Sequence, residues 1–263
     1  MNTARFAVNC SILFTELPLL ERPAAAKAAG FEAVEFWWPF DTHLPGDAEV
    51  DAFERAITDA GVQLIGLNFA AGDLPSGDRG LLSSPDTARE FRDNIPVALG
   101  IGERLGCRAF NALYGNRVDG FSPQVQDELA AENLALAATA AGALGGVVLI
   151  EPVSGVDRYP LKTAADAVAV VDRVRRQSGA IGLLLDIYHL TVNGDDVSTA
   201  ITRFADRIAH VQIADAPGRN EPGTGKIPVD QHLADLATAG YDGWIALEYK
   251  PSGSTAESFD WIR

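Results

Sequence analysis

Short apolar runs rich in Val, Ile and Leu recur along the chain and alternate with longer segments whose apolar positions repeat at helical spacing. The runs predict strands at 6–9, 33–36, 63–68, 109–112, 147–151, 181–186, 208–213 and 244–249. Such continuous apolar character, rather than strict alternation, marks strands buried on both faces. Helices are predicted at 18–29, 47–60, 85–105, 123–144, 163–178, 197–207, 229–239 and 255–263, with Gly61 and Gly106 where C-terminal caps belong. Eight strand–helix repeats averaging about 33 residues predict a (β/α)8 TIM barrel built as one domain over 1–263. The competing open doubly wound sheet expects a glycine-rich turn after its first strand. That turn here, NCSILFTELP, has no glycine.

Four of the later runs end on a polar side chain: Glu151 in VVLIEPVSG, Asp186 in GLLLDIYH, Gln212 in HVQIAD and Glu248 in WIALEYKP. They recur at roughly one βαβ crossover apart. A barrel gathers its strand ends at one mouth, where residues read as catalytic. Three carboxylates brought together there repel unless a cation lies between them. Oxygen ligands without a thiolate favour Mg2+ or Mn2+ over zinc. Two glutamates facing a small polar substrate also form a proton-transfer pair, one removing a proton beside a carbonyl and the other returning it. That pattern points to isomerisation or epimerisation of a hydroxy-carbonyl compound. His189 and Asp215, each three residues past a strand end, are expected at the same rim, with His189 toward substrate.

Charge narrows the partners. Twenty-one basic against thirty-six acidic residues leave a net charge of -15, which opposes nucleic acid and anionic membranes and fits a small-molecule substrate. No apolar stretch is long enough to span a bilayer, and Cys10 and Cys107 lack zinc or disulfide spacing, so a cytoplasmic protein is expected, with a homodimer compatible. The Gly223–Lys226 segment lacks phosphate-loop spacing, and no G-x-S-x-G elbow is present.

The strings LFTELPLLERPAAAKAAGFEAVEFWWPFD, AAGDLPSGDRG, DIYHLTVNGD, HVQIADAPGRNEPGTGKI and WIALEYKP together resemble the hydroxypyruvate isomerase family of xylose isomerase-like barrels, from Phe6 to the C-terminal segment. The resemblance implies an intramolecular oxidoreductase that interconverts hydroxypyruvate and tartronate semialdehyde, or a related 2-oxo-tetronate. It implies Glu151 and Glu248 as catalytic residues and Glu151, Asp186, Gln212 and Glu248 as ligands of the divalent ion. Related ketose 3-epimerases carry His where this chain has Gln212. Three departures from the family pattern stand out: Leu67–Asn68 in place of His–Asn, VSGVDRYPL after the fifth strand, and Lys226 in place of Glu.

Arg219, in the PGR turn, is expected to fork onto a substrate carboxylate, and Lys250 to lie beside Glu248. The competing reading for both is a solvated surface cation. Trp37, Trp38 and Phe40 are candidates for a substrate wall, against core or subunit contact. His210 points toward the same barrel side as Gln212, but deeper. An AP endonuclease of this fold needs many histidines and a cationic surface, and the chain has four histidines. A non-catalytic sugar-acid binder is the remaining alternative, opposed by the intact glutamate pair.

Overall fold

A computed structural model of the chain describes residues 4–262. Eight parallel strands form a closed barrel in sequence order: β1 Arg5–Asn9, β2 Ala33–Phe36, β3 Gln63–Asn68, β4 Ala109–Asn111, β5 Val147–Ile150, β6 Ile181–Asp186, β7 Ile208–Ile213 and β8 Trp244–Leu247. β8 pairs back onto β1, Arg5 beside Trp244 and Val8 beside Leu247. Around the barrel run α1 Arg22–Ala28, α2 Asp47–Ala60, α3 Ala88–Leu105, α4 Pro123–Ala143, α5 Ala164–Arg175, α6 Ile187–Val192, α7 Val197–Arg203 and α8 Val229–Thr238. The (β/α)8 fold expected from the repeat pattern is therefore the fold observed.

Strand alternation separates two apolar zones. Val8, Val34 and Leu64 join the large core between barrel and helices, whereas Ala7, Ala33 and Ile65 form a small cluster under Trp244. Helix α2 shows the same logic: Val50, Phe53 and Ile57 are its buried stripe, and Gly61 ends it at φ 64°, a left-handed cap that glycine adopts without a Cβ clash. Helix α5 starts on a capping box in which the Thr163 hydroxyl accepts from the Asp166 amide, and the Asp166 side chain accepts from the Thr163 amide.

Three boundaries depart from the periodicity. The segment after β1 splits into a 3-10 turn at Leu19–Glu21 and a short α1 begun by Pro23, because proline suits a first helical turn and not an interior. A short helix, α6, follows β6 directly and was not expected; the Asp186 side chain caps it by accepting from the His189 amide at 2.9 Å. The C-terminal helix expected at 255–263 is instead a 3-10 helix at Glu257–Ile262, with Phe259 packed on Phe14 and Phe31. Arg263 lies outside the described residues. No helix among the described residues is long and apolar enough to cross a membrane.

Candidate active site

All eight strands deliver a polar side chain to the mouth. Asn9, Asn68, Asn111 and Asp186 end their strands, Glu35 and Gln212 lie one residue before the end, and Glu151 and Glu248 directly follow β5 and β8. The register aligns Asn9 with Glu35, Asn68 with Asn111 and Asp186 with Gln212. All eight are buried, so each needs partners or a ligand to offset lost hydration.

The carboxylates meet on one side of this ring. One potential ligand atom from each of Glu151, Asp186, His189 and Glu248 lies within 4.8 Å of the others, which makes the group able to hold a metal ion. Glu151 accepts from Asn111 Nδ2 at 2.7 Å. Glu248 Oε1 accepts from Asn9 Nδ2 at 3.0 Å, Trp37 Nε1 at 2.7 Å and Gln212 Nε2 at 3.1 Å, while its Oε2 pairs with the Arg219 guanidinium. The Gln212 amide also donates to Glu35 Oε1 at 2.7 Å, yet its own carbonyl oxygen is buried without a donor. The Asn111 carbonyl oxygen, whose amide donates to Glu151, is likewise buried without a donor, and orphaned carbonyl oxygens beside carboxylates suit a cation.

Electrostatics follow from this crowding. In the metal-free chain burial pushes the Glu151 carboxyl well above its usual value, and Glu248 and Asp186 push it further. Burial also raises Glu248, to about 8; Arg219 pulls the other way, and Asp186 and Glu35 add to the rise. Burial depresses His189 to about 4. The His189 Nδ1 accepts from the Ser154 backbone amide at 3.1 Å and lies 2.7 Å from the Ser154 hydroxyl. An amide donor on Nδ1 leaves the imidazole proton on Nε2, which faces Glu151 and Asp186, each at 3.8 Å.

Arg219 sits on the loop after β7, in the left-handed region at φ 55°. Asp215 organises that loop by accepting from the amides of Ala216, Gly223, Gly225 and Ile227 at 2.8–2.9 Å. Burial works against the Asp215 charge, but these four amides outweigh it and hold its carboxyl below the usual range. The Arg219 backbone oxygen accepts from the Lys250 amide at 2.8 Å, and its guanidinium stands over Tyr188 at 5.3 Å.

A cavity of about 620 Å³ opens above the cluster, walled by Trp37, Asn68, Arg79, Ser154, His189 and Lys250 among others. The structure thus brings Glu151, Glu248, His189, Arg219 and Lys250 to one cavity, with Asp186 and Gln212 in contact with its floor. Lys250 is exposed at the mouth and lines the same cavity as Glu248, with no ion pair between the two among the described residues. Trp38 and Phe40 meet edge to face, and Phe40 packs the same way on Phe53 of α2; of the three, Trp37 lines the site.

Comparison with known proteins agrees with this geometry. A family model described as "Xylose isomerase-like TIM barrel" matches residues 23–263. A Streptomyces coelicolor relative bearing the hydroxypyruvate isomerase name is 56% identical across 98% of this chain and 95% of its own. The Escherichia coli hydroxypyruvate isomerase is 32% identical over 98% of both chains. The chain belongs to the hydroxypyruvate isomerase family of xylose isomerase-like TIM barrels. A Cupriavidus necator 2-oxo-tetronate isomerase is 35% identical across 98% of this chain and 97% of its own. Among solved structures, a Brucella melitensis protein described as an AP endonuclease of family 2 superposes with a TM-score of 0.90 at 32% identity, covering 99% and 98% of the two chains.

Within this family setting, several site residues escaped the sequence reading. Glu35 accepts from Asn9 at 2.9 Å, Gln212 at 2.7 Å and His210 at 2.6 Å, and so joins three strands beneath the cluster. Gly66 of the neighbouring strand leaves it room: a Cβ there would lie 3.1 Å from Glu35 Oε2. Asn9, Asn111, Ser154 and Arg79 were missed as well. A signal existed for the first three strand-end groups, since FAVN, AVEF and AFN repeat the apolar-then-polar ending of the later strands. The departures have structural counterparts too: Leu67 packs in the core, Asn68 faces the cavity, and Tyr159 of VSGVDRYPL is fully buried, its hydroxyl donating to the Glu151 carbonyl at 2.9 Å.

Proposed function

We propose that the protein is a divalent-metal-assisted isomerase that interconverts hydroxypyruvate and tartronate semialdehyde, or a closely related 2-oxo hydroxy acid. The observation that carries this reading is the buried Glu151–Asp186–Glu248 cluster with the donor-free Gln212 oxygen beside it, open to a cavity that Trp37 and His189 border. Glu151, Asp186, Gln212 and Glu248 form an all-oxygen set suited to Mg2+ or Mn2+. His189 stays outside that set because its Nε2 bears the proton and its Nδ1 lone pair is taken by Ser154. When bound, the ion supplies positive charge that offsets the carboxylates and polarises the substrate oxygens.

The remaining steps belong to the chain's own residues. One glutamate of the Glu151 and Glu248 pair removes a proton from C3 of hydroxypyruvate, and electrons move toward the C2 carbonyl oxygen to give an enediolate. The other glutamate delivers a proton to C2, and the proton leaving the C3 hydroxyl passes to the C2 oxygen, so that O3 becomes the aldehyde oxygen, O2 becomes the hydroxyl, and atoms and charge balance. The His189 Nε2–H is a donor to the oxygen that gains negative charge. The Ser154 amide holds the ring in that tautomer.

The name of the Brucella protein suggests DNA chemistry for that protein. Here a net charge of -15 and a carboxylate-lined cavity repel a phosphate backbone. The direct test follows hydroxypyruvate conversion by NMR, with and without added Mg2+ or Mn2+, in the wild type and in Glu151→Gln and Glu248→Gln. Turnover in the wild type and its loss in both folded variants are expected. Wild-type rates in either variant would overturn its role.

A further inference from the structure

An anionic substrate enters a cavity whose floor holds three carboxylates, so its own carboxylate needs a cation that is not already committed. Arg219, the expected anchor, is committed: its guanidinium pairs with Glu248, lies 4.0 Å from Asp186 and stands over Tyr188. A second guanidinium lines the same cavity. Arg79 comes from the loop between β3 and α3, half-buried, and only its Nη1 is engaged, with the carbonyl oxygens of Leu74 and Asp78. Its Nε and Nη2 have no acceptor among the described residues, and no carboxylate pairs with it there.

The loop is built to present this side chain. The Gly80 amide donates to the Ala71 carbonyl at 2.9 Å, the Gly115 amide donates to the Arg79 carbonyl at 2.9 Å, and the Asp78 amide donates to the Asp73 carbonyl at 3.1 Å. Gly80 adopts φ 115°, and a Cβ on it would stand 2.0 Å from the Leu113 carbonyl oxygen. Only glycine lets the loop lie this close to the segment after β4, and that contact fixes Arg79 on the cavity wall. Lys250, exposed across the mouth without an ion-pair partner among the described residues, adds a flexible positive charge on the approach.

We propose that Arg79 is the anchor for the substrate carboxylate, and that it selects short 2-oxo acids over uncharged ketoses. This deepens the isomerase reading and rests on it. A guanidinium fork with two free edges matches a carboxylate in two parallel hydrogen bonds, which a neutral sugar end does not supply. Arg219 is then an organiser of Glu248 and Asp186, and recognition and proton transfer are divided between two arginines.

The test measures binding of D-glycerate by titration calorimetry to the Mg2+-loaded wild type, Arg79→Gln and Arg79→Lys, alongside KM for hydroxypyruvate and for the neutral ketose erythrulose. Losing a charged, two-pronged contact is expected to weaken glycerate binding by about 10- to 100-fold in Arg79→Gln. Arg79→Lys recovers part of that loss, because it keeps the charge without the fork. Equal glycerate affinity in wild type and Arg79→Gln, or no binding to the wild type, overturns the proposal. Equal losses for hydroxypyruvate and erythrulose also overturn it, since they mark a merely structural arginine. Glycerate binding that depends on Arg79 in a protein that turns over no 2-oxo acid would instead sink the isomerase reading and leave the anchor standing.

Discussion

Replacing Glu35 with Ala tests whether the side chains beneath the cluster hold it in shape. Glu35 accepts three buried hydrogen bonds, and their losses are unequal. Asn9 Nδ2 and Gln212 Nε2 each retain Glu248 Oε1 as an acceptor, at 3.0 and 3.1 Å, so each loses about 1 kcal/mol. His210 Nε2 has Glu35 as its acceptor at 2.6 Å and is left buried and unpaired, a cost of about 1–3 kcal/mol. The expected destabilisation is about 3–5 kcal/mol, which for a chain of this size lowers Tm by about 6–20 °C. Glu35→Gln separates hydrogen bonding from shape. Its carbonyl still serves Asn9 and Gln212, and its amide donates to His210 once that ring shifts its proton to Nδ1, so a loss of about 1 kcal/mol is expected. Because Glu35 also orients the Gln212 amide, the alanine variant should bind Mn2+ about 10- to 100-fold more weakly in a calorimetric titration. An alanine variant that melts within about 3 °C of wild type, on the same Tm scaling, and binds Mn2+ with unchanged affinity would refute the reasoning.

Two further outcomes follow from the same geometry. The folded metal-free chain keeps Glu248 protonated up to about 8, whereas the unfolded carboxyl titrates near 4.5. That stabilising contribution is full below 4.5 and is lost as pH rises to about 8, by about 1.4 kcal/mol per pH unit for each such carboxyl, Glu151 acting in the same direction. His189 works oppositely, but only between its folded value of about 4 and its ordinary 6.5. Above 6.5 the carboxyls act without it, so Tm measured in chelator should fall from there to about 8, and a rise across that window would contradict the assignment. Asp215→Ala removes the acceptor of four loop amides, two of them on exposed residues that water can satisfy, and should cost about 2–4 kcal/mol by calorimetry. It should also lower kcat as Arg219, which pairs with Glu248, loses its mooring; an unchanged kcat would detach that loop from the site.

The barrel was legible because its signal is periodic. Buried parallel strands are apolar throughout, and eight of them separated by crossover helices leave few other folds. Glu151, Asp186, Gln212 and Glu248 were legible for a related reason, since a charge or amide at the end of an apolar run stands out. Glu35 repeats that pattern in AVEF, but its task does not show along the chain, because it depends on His210 and Gln212, which lie far away in sequence. Asn9 and Asn111 carry no charge to signal a task, and their work is to donate to Glu35, Glu248 and Glu151. Lys250, read as lying two residues past Glu248 on the same side, lines the same cavity from its exposed rim. Arg79 sits in a loop without periodicity, where position comes from backbone contacts such as Gly80 against Leu113 and not from any pattern along the chain.

The central claim is that Glu151 and Glu248 work as a pair, one taking a proton from C3 and the other delivering a proton to C2. Turnover of hydroxypyruvate in D2O, read by proton NMR of substrate and product, tests it most directly. The account predicts deuterium bound to carbon in the tartronate semialdehyde formed by the wild type, and none formed by Glu151→Gln or Glu248→Gln. Product that carries only protium on carbon, made at wild-type rates by both variants, would mean that hydrogen moves directly between the carbons and that the two glutamates are not its carriers.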